Sequence, residues 1–297
     1  MTKKYSEEKL LNLGCGHRFR SNWINVDFKP QSKEILGYNL TQSLPFQDNS
    51  FDLIYHSHFL EHLNQSQGES FMLECHRLLK PGGVVRVVVP DLENIVISYL
   101  EVLAKAKVSD DLECKDLEWM HIELYDQLVR EQPDGAFKSF FFEKEIQNSE
   151  FLISRMGACA RQILDYRTKH IDHFIPAQVH QKKINIIKNM IRPLLQILKN
   201  PDSMRNSFIK LLLGKEYKYY QIGRFRSRGE THKCMYDVYT LSALLKKLGF
   251  VNVTRVDATT SLSNYWQAEG LDLENGEIYH PSSLFMEAKK STILTSL

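Results

Sequence analysis

The sequence predicts an α/β fold built on a mostly parallel sheet, and three observations carry that expectation. First, Leu11-Asn12-Leu13-Gly14-Cys15-Gly16 followed by Trp23-Ile24-Asn25-Val26-Asp27 reads as an apolar strand, a tight glycine turn, a short polar connection and a second apolar strand ending in an acid. Second, an apolar run over residues 51–56 leads into Glu69 to Leu79, where Phe71, Met72, Cys75, Leu78 and Leu79 have helical spacing. Lys80-Pro81-Gly82-Gly83 stops that helix, and the β-branched run Val84 to Val89 follows as a buried parallel strand. Strand, helix, strand at this pitch is a βαβ unit. Third, a second block near the end of the chain gives a helix over 239–248, a strand from Val251 to Asp257 and a last strand from Leu284 to Lys289. Strands are expected at 10–13, 23–27, 35–39, 51–56 and 83–89 in the first block.

The glycine turn also points to a ligand. Gly14 and Gly16 let the backbone turn sharply and approach a bound molecule. Asp27, at the carboxyl end of the second strand, is placed to accept hydrogen bonds from a ribose diol. A dinucleotide fingerprint would need a third glycine near Arg18 or Phe19 and an acid roughly 20 residues on. Here the acid follows Gly16 by eleven residues, so the first helix is very short or absent. A pyrophosphate wants a helix N-terminus. A nucleoside without phosphate, such as the sulfonium cofactor S-adenosylmethionine, does not.

LNLGCG, the acid at Asp27, LPFQDNSFDLIYHSHFLEHL and RLLKPGGVVRVVVPD together resemble the small class I S-adenosylmethionine-dependent methyltransferases, and most of all a type-11-like subgroup with a shortened first helix. His232 to Asp237 leading into Leu241 to Phe250, and Ser282 to Lys290, resemble the same subgroup. The resemblance covers residues 9–100 and 230–290, about half the chain. It implies a Rossmann-like sheet whose last strand runs antiparallel, S-adenosylmethionine as cofactor, and methyl transfer to an oxygen or nitrogen of a glycan or secondary-metabolite type of acceptor. It also implies that Asn39-Leu40 flanks the adenine, with Asn in place of the usual acid, and that His56 and Ser57 face the methionine end. The cofactor set is therefore expected to be Asn12, Gly14, Cys15, Gly16, Asp27, Asn39, Leu40, His56 and Ser57. Cys15 is expected to be a small packing residue.

The domain division expected from pattern is residues 1–91 and 232–297 as two parts of the cofactor-binding α/β domain, separated by a helical, basic insertion over 92–231 that caps the sheet's carboxyl edge. Helices are expected in that insertion at Leu92 to Lys107, Leu112 to Gln132, Glu143 to Tyr166, Ala177 to Leu198 and Ser203 to Leu213. The 297 residues carry a net charge of +2, but the charge is segregated. Residues 1–110 hold −1, 111–149 hold −6, 150–233 hold +11 and 234–297 hold −2. The five cysteines are scattered, without a C-x-x-C pair, which suits reduced thiols and a cytoplasmic protein. No apolar run reaches the ~18–20 residues of a membrane span, and the first eight residues lack the apolar core of a signal peptide.

Methyl transfer from a sulfonium is an in-line displacement, so alignment in a dry pocket supplies much of the catalysis. A base is needed only where the acceptor must lose a proton. His232, His58 and Tyr236 are the catalytic candidates, with His232 as general base because an imidazole titrates near neutrality. Asp237 beside them also reads as a plain helix cap. No metal is expected: His56 and His58 alternate on a strand end, and zinc sites usually need a tighter ligand set. His170-Ile171-Asp172-His173, near Asp165 and His180, fits a solvated helix face better than a metal or a base. In the basic block, Lys215 to Arg228 interleaves tyrosines with lysines and arginines, which suits an acidic or planar partner. The partner expected is a small-molecule or carrier-linked acceptor, with no integral membrane contact. The rivals are an RNA methyltransferase using the basic insertion, for which neither an RNA-binding module nor an Asn/Asp-Pro-Pro-Tyr/Phe motif is found, and a non-catalytic S-adenosylmethionine-binding scaffold.

Overall fold

A computed structural model describes residues 9–108, 111–174, 201–266 and 270–292. Seven strands form one sheet: β1 (Leu10–Leu13), β2 (Ile24–Asp27), β3 (Ile35–Gly37), β4 (Phe51–Ser57), β5 (Leu79–Pro90), β6 (Phe250–Val256) and β9 (Ser283–Lys290). Their order is β3-β2-β1-β4-β5-β9-β6, and a separate two-stranded arm pairs β7 (Leu273–Glu274) with β8 (Glu277–Ile278). All pairings from β3 to β5 are parallel, while β9 runs antiparallel to both β5 and β6. The sheet is therefore mostly parallel with one reversed strand near its edge. The chain leaves β1 toward β2 on one side and later adds β4 on the other, which opens a crevice at the carboxyl ends of β1 and β4.

Period-two alternation along β5 explains both faces. Val85, Val87 and Val89 join Leu11, Leu13 and Ile54 in one apolar layer. Helices α1 (Gln65–Leu78) and α9 (Val238–Lys247) close that layer with Phe71, Met72, Leu78, Leu241 and Leu245, all buried. Each such side chain contributes about 1.5–3 kcal/mol on leaving water. Val84 and Val88 face the other way, against Trp23, Trp266 and Leu271. Arg86 sits between them on that second face and is fully buried. It pairs with Glu287 at 2.7 Å and Asp272 at 2.7 Å, and its guanidinium lies 4.2 Å over the Trp266 ring. Arg86 and Glu287 stand directly opposite in the β5–β9 ladder, so the register of the reversed strand carries a charge pair.

Helix α1 begins four residues before the apolar periodicity does. The Asn64 side chain accepts from the Gln67 amide, and the Gln67 side chain accepts from the Asn64 amide, a capping box that starts the helix early. Strand β5 likewise begins at Leu79, ahead of the Pro81-Gly82-Gly83 turn. The ladder absorbs that turn by shifting register between Phe51 and Leu53.

The segment after β5 is helical, as expected: α2 (Leu92–Ala106), α3 (Asp111–His121), a π turn (Ile122–Asp126), α4 (Gln127–Val129), α5 (Gly135–Phe141), α6 (Ser149–Phe174, kinked at Gly157), α7 (Pro201–Leu213) and α8 (Tyr217–Arg226). The expected helix from Glu143 to Tyr166 is displaced. Asp126 accepts from the Ala136 amide and starts α5, and Asn148 donates to Asp116 at the head of α6, so the chain breaks between them. The expected helix from Ala177 to Leu198 lies outside the described residues. Helices α2 to α6 bury a core of their own around Trp119, Met120, Phe140, Phe141, Leu152 and Met156, which Met235 also joins. No helix among the described residues is long and apolar enough to cross a membrane.

Candidate functional site

The connection from β1 to β2 contains no helix. It is held instead as an irregular loop. The Gly14 and Cys15 amides both donate to the Val26 carbonyl, at 2.9 and 3.3 Å. Gly14 and Gly16 have φ of +69° and +51°, a conformation that disfavours a side chain. A Cβ on Gly14 would stand 2.9 Å from the Phe59 ring, whereas one on Gly16 would meet nothing within 4 Å. Gly16 thus borders open space at the crevice. Asp27 Oδ2 accepts from the Gly16 amide at 2.9 Å and Oδ1 from the Lys29 amide at 2.9 Å. Each carboxylate oxygen keeps a further lone pair, which suits a ribose diol.

Several residues expected to touch the cofactor are used structurally. Asn12 is buried and donates to the Arg18 carbonyl at 2.9 Å and to Asn25 Oδ1 at 3.2 Å, so it holds the loop's shape. Cys15 is buried, and burial with the nearby Asp27 charge pushes its thiol up to about 12. Asn39 accepts from the Thr41 amide and hydroxyl, a turn role, and Leu40 belongs to the core. His56 does not face the crevice. Its ring is buried 5.0 Å from Phe71, neither nitrogen has a partner among the described residues, and burial lowers its pKa to about 4. Ser57 is half-buried beside Arg18 and His280. Sequence reasoning gave Arg18 no role. Its guanidinium donates to the Leu271 and Leu273 carbonyls at 3.1 and 3.0 Å, pairs with Glu274 at 2.9 Å and lies 3.7 Å over the Tyr279 ring. It ties the glycine loop to the β7–β8 arm.

Beyond the carboxyl ends of β4 and β5 lies a cavity of about 250 Å³. His58, His62, His232 and His280 line it from the sheet side, and Trp119, Glu123, Gln127 and Met156 from the helical side. Backbone bonds fix this arrangement. The Lys233 and Cys234 amides both donate to the Glu61 carbonyl, and the His232 amide donates to the Gln127 carbonyl. The segment before α9 is thereby pinned between Glu61 and the helix α4. His58, in the left-handed region at φ +50°, reaches Ser283 Oγ at 3.0 Å and Glu61 at 3.3 Å, and its ring lies 4.7 Å from His280.

Of the three catalytic candidates, His58 and His232 reach this cavity and Tyr236 does not. The Tyr236 ring packs into the sheet's apolar core with its hydroxyl near Gly68, and burial pushes its pKa up. Asp237 caps α9 through the Thr240 amide at 2.7 Å. His232 is 6% exposed, and burial drives its pKa down to about 3. A group so weakly basic is a poor proton acceptor, which argues against its expected role as general base. Glu61 is fully buried, and no donor among the described residues meets its carboxylate with hydrogen-bond geometry. Of the helix-face cluster, His170 stacks on Tyr166 at 4.2 Å, while the side chains of Asp172 and His173, and His180 altogether, lie outside the described residues.

Arg130, Lys218, Arg224 and Arg228, with Tyr217 and Tyr220, line a separate groove of about 970 Å³ between α4, α5 and α8.

Residues 11–87 match the family model described as a methyltransferase domain. An uncharacterized methyltransferase of Synechocystis sp. is 38% identical over 65 residues, which is 22% of this chain and 28% of that protein. A SAM-dependent methyltransferase structure from Archaeoglobus fulgidus covers 95% of this chain and 86% of its own at 13% identity, with a TM-score of 0.36. A putative methyltransferase structure from Bacillus halodurans covers 96% and 93% at 12% identity, again with a TM-score of 0.36. Residues 11–87 are thus similar to a methyltransferase domain, the class for which the sequence leads one to expect S-adenosylmethionine as cofactor, and the chain covers about a quarter of the curated relative's length. The glycine loop and Asp27 fit that cofactor: open space at Gly16, an acid at the strand end, and no helix N-terminus asking for a phosphate.

Proposed function

We propose that this chain transfers the methyl group of S-adenosylmethionine to an oxygen or nitrogen of a small or carrier-linked acceptor bound in the histidine-lined cavity. The observation that carries the reading is the presence of two spaces at the sheet's carboxyl edge: the Gly14–Gly16 and Asp27 crevice, and the half-open cavity beyond β4 and β5. The sulfonium supplies an already activated methyl. The work left to the protein is to hold, align and keep dry. Asp27 accepts the ribose hydroxyls, and the Gly16 backbone stands close to the nucleoside. Trp119, Met156 and Ile95 give the cavity an apolar wall that excludes water. The histidines supply polar contacts to an acceptor hydroxyl or amine.

The groove beside α8 supports an acidic acceptor or carrier, because Arg130, Lys218, Arg224 and Arg228 outnumber the two acids in its lining, Asp126 and Glu131. Interleaved tyrosines and arginines also favour the RNA reading, which requires acceptor affinity to fall steeply with salt. The test is release of S-adenosylhomocysteine on incubation with phosphorylated, carboxylated and neutral hydroxy or amino acceptors. Turnover with acidic acceptors, with Arg224→Glu raising their KM and leaving kcat in place, supports the reading. Cofactor binding without turnover on any acceptor class would instead favour the scaffold.

A further inference from the structure

Two histidines from distant parts of the chain meet one buried carboxylate at the floor of the cavity. One ligand atom each from Glu61, His62 and His232 lies within 4.8 Å of the others. His232 Nε2 stands 4.0 Å from Glu61 Oε1, and the His62 and His232 rings are 4.8 Å apart. We propose that Glu61, His62 and His232 form a binding site for a divalent transition-metal cation of the zinc type, with its open position facing the cavity.

Three features point the same way. The donor set is two imidazoles and one carboxylate, the combination that holds a catalytic ion with room for a further ligand. Glu61 is fully buried and its oxygens lack a hydrogen-bonding donor among the described residues. A buried charge without a counter-charge is costly, and a cation would relieve it. The backbone bonds from Lys233 and Cys234 to the Glu61 carbonyl place the three side chains together whether or not anything is bound.

The competing contact is His58, whose Nδ1 is 3.3 Å from Glu61. Arg130 is near both imidazoles, and its terminal nitrogen donates to Gln127 Oε1 at 3.2 Å and to the Glu230 carbonyl. Metal bonds of about 2.0–2.1 Å at tetrahedral angles put ligand atoms about 3.3 Å apart. From separations of up to 4.8 Å the set must therefore close by at most about 1.5 Å on loading, which imidazole rotation can supply. Both histidines line the cavity, so an ion held here would present its remaining position to the acceptor. That role rests on the methyl-transfer reading, whereas the site itself does not.

The test uses the full chain stripped with a chelator, titrated with zinc chloride by calorimetry and with cobalt(II) by visible absorption, without S-adenosylmethionine. One equivalent of zinc at sub-micromolar Kd, with cobalt bands of a four-coordinate site, is expected. His232→Ala and Glu61→Gln should each weaken binding at least 100-fold, while His76→Ala, outside the cluster, should leave it unchanged. No stoichiometric uptake, or uptake equal in wild type and His232→Ala, would overturn the site. If Glu61→Gln does not fold, His232→Ala decides alone. Because no cofactor is present, failure here leaves the methyl-transfer reading standing, and failure of cofactor binding leaves the metal site standing.

Discussion

Replacing Arg18 by alanine should detach the glycine loop from the β7–β8 arm, at a cost of about 2–3 kcal/mol. The figure is built from the contacts. Charge-assisted bonds to the Leu271 and Leu273 carbonyls, at 3.1 and 3.0 Å, contribute about 1.5 kcal/mol each. The ion pair with Glu274 joins side chains 21% and 33% exposed, so it adds under about 1 kcal/mol. The guanidinium over Tyr279 at 3.7 Å adds roughly 0.5–1 kcal/mol. Against this gross total of about 4–5 kcal/mol stands the side-chain entropy released on truncation, about 1.5–2 kcal/mol. The assay is urea unfolding, read as a shift of midpoint at constant m, together with cofactor affinity. Arg18→Lys should recover less than half, because an ammonium cannot reproduce the fork between two carbonyls. A loss below about 1 kcal/mol for alanine, or full rescue by lysine, would show that Arg18 is only a surface charge.

Other consequences can be checked with the same preparations. Arg86→Met leaves Glu287 and Asp272 buried without their cation and should destabilise by about 3–5 kcal/mol in urea unfolding; neutralising both acids as well should recover part of the loss. Hydrogen bonding to Arg77 lowers the Glu74 pKa in the folded state. Its contribution, about 0.5–1 kcal/mol, is therefore fully present above the unfolded value near 4.3. It disappears as pH falls through the folded value, so wild type and Glu74→Gln should draw together in stability as pH falls below the unfolded value and converge only below the folded one. With a thiol reagent at pH 8, exposed Cys114 should react quickly, while Cys15, buried with its thiol pushed up to about 12, should resist until the protein unfolds.

The strands were legible because their patterns are local. LNLG, INVD and the valine run of β5 each show the period or apolar density of a buried strand, and the short first connection left room for at most a very short helix between β1 and β2. Helix starts were less legible where a cap set them: Asn64 with Gln67 begins α1 before any apolar repeat appears. Arg86 within the valine run and Glu287 within the last strand each break an apolar pattern, and that break was a readable sign of a cross-strand pair. The candidate crevice was legible through Gly14, Gly16 and Asp27, whose loop geometry matches the expected tight turn. The cavity was not, because its residues converge only in three dimensions. His232 follows Glu61 by 171 positions, and only the backbone bonds onto the Glu61 carbonyl bring them together. The same distance explains why Tyr236 was misplaced: the bond from the Leu92 amide to its carbonyl sets its backbone beside the end of β5, and its ring packs into the core.

The most direct measurement is a calorimetric titration of S-adenosylmethionine and S-adenosylhomocysteine into wild type and Asp27→Ala. Asp27 offers charge-assisted hydrogen bonds to a ribose diol, each about 1.5–3 kcal/mol. Micromolar binding to wild type should therefore weaken at least tenfold in the variant, with the fold unchanged by circular dichroism. No binding of either ligand to wild type, or equal binding to both proteins, would contradict the assignment of the Gly14–Gly16 and Asp27 crevice as the cofactor site.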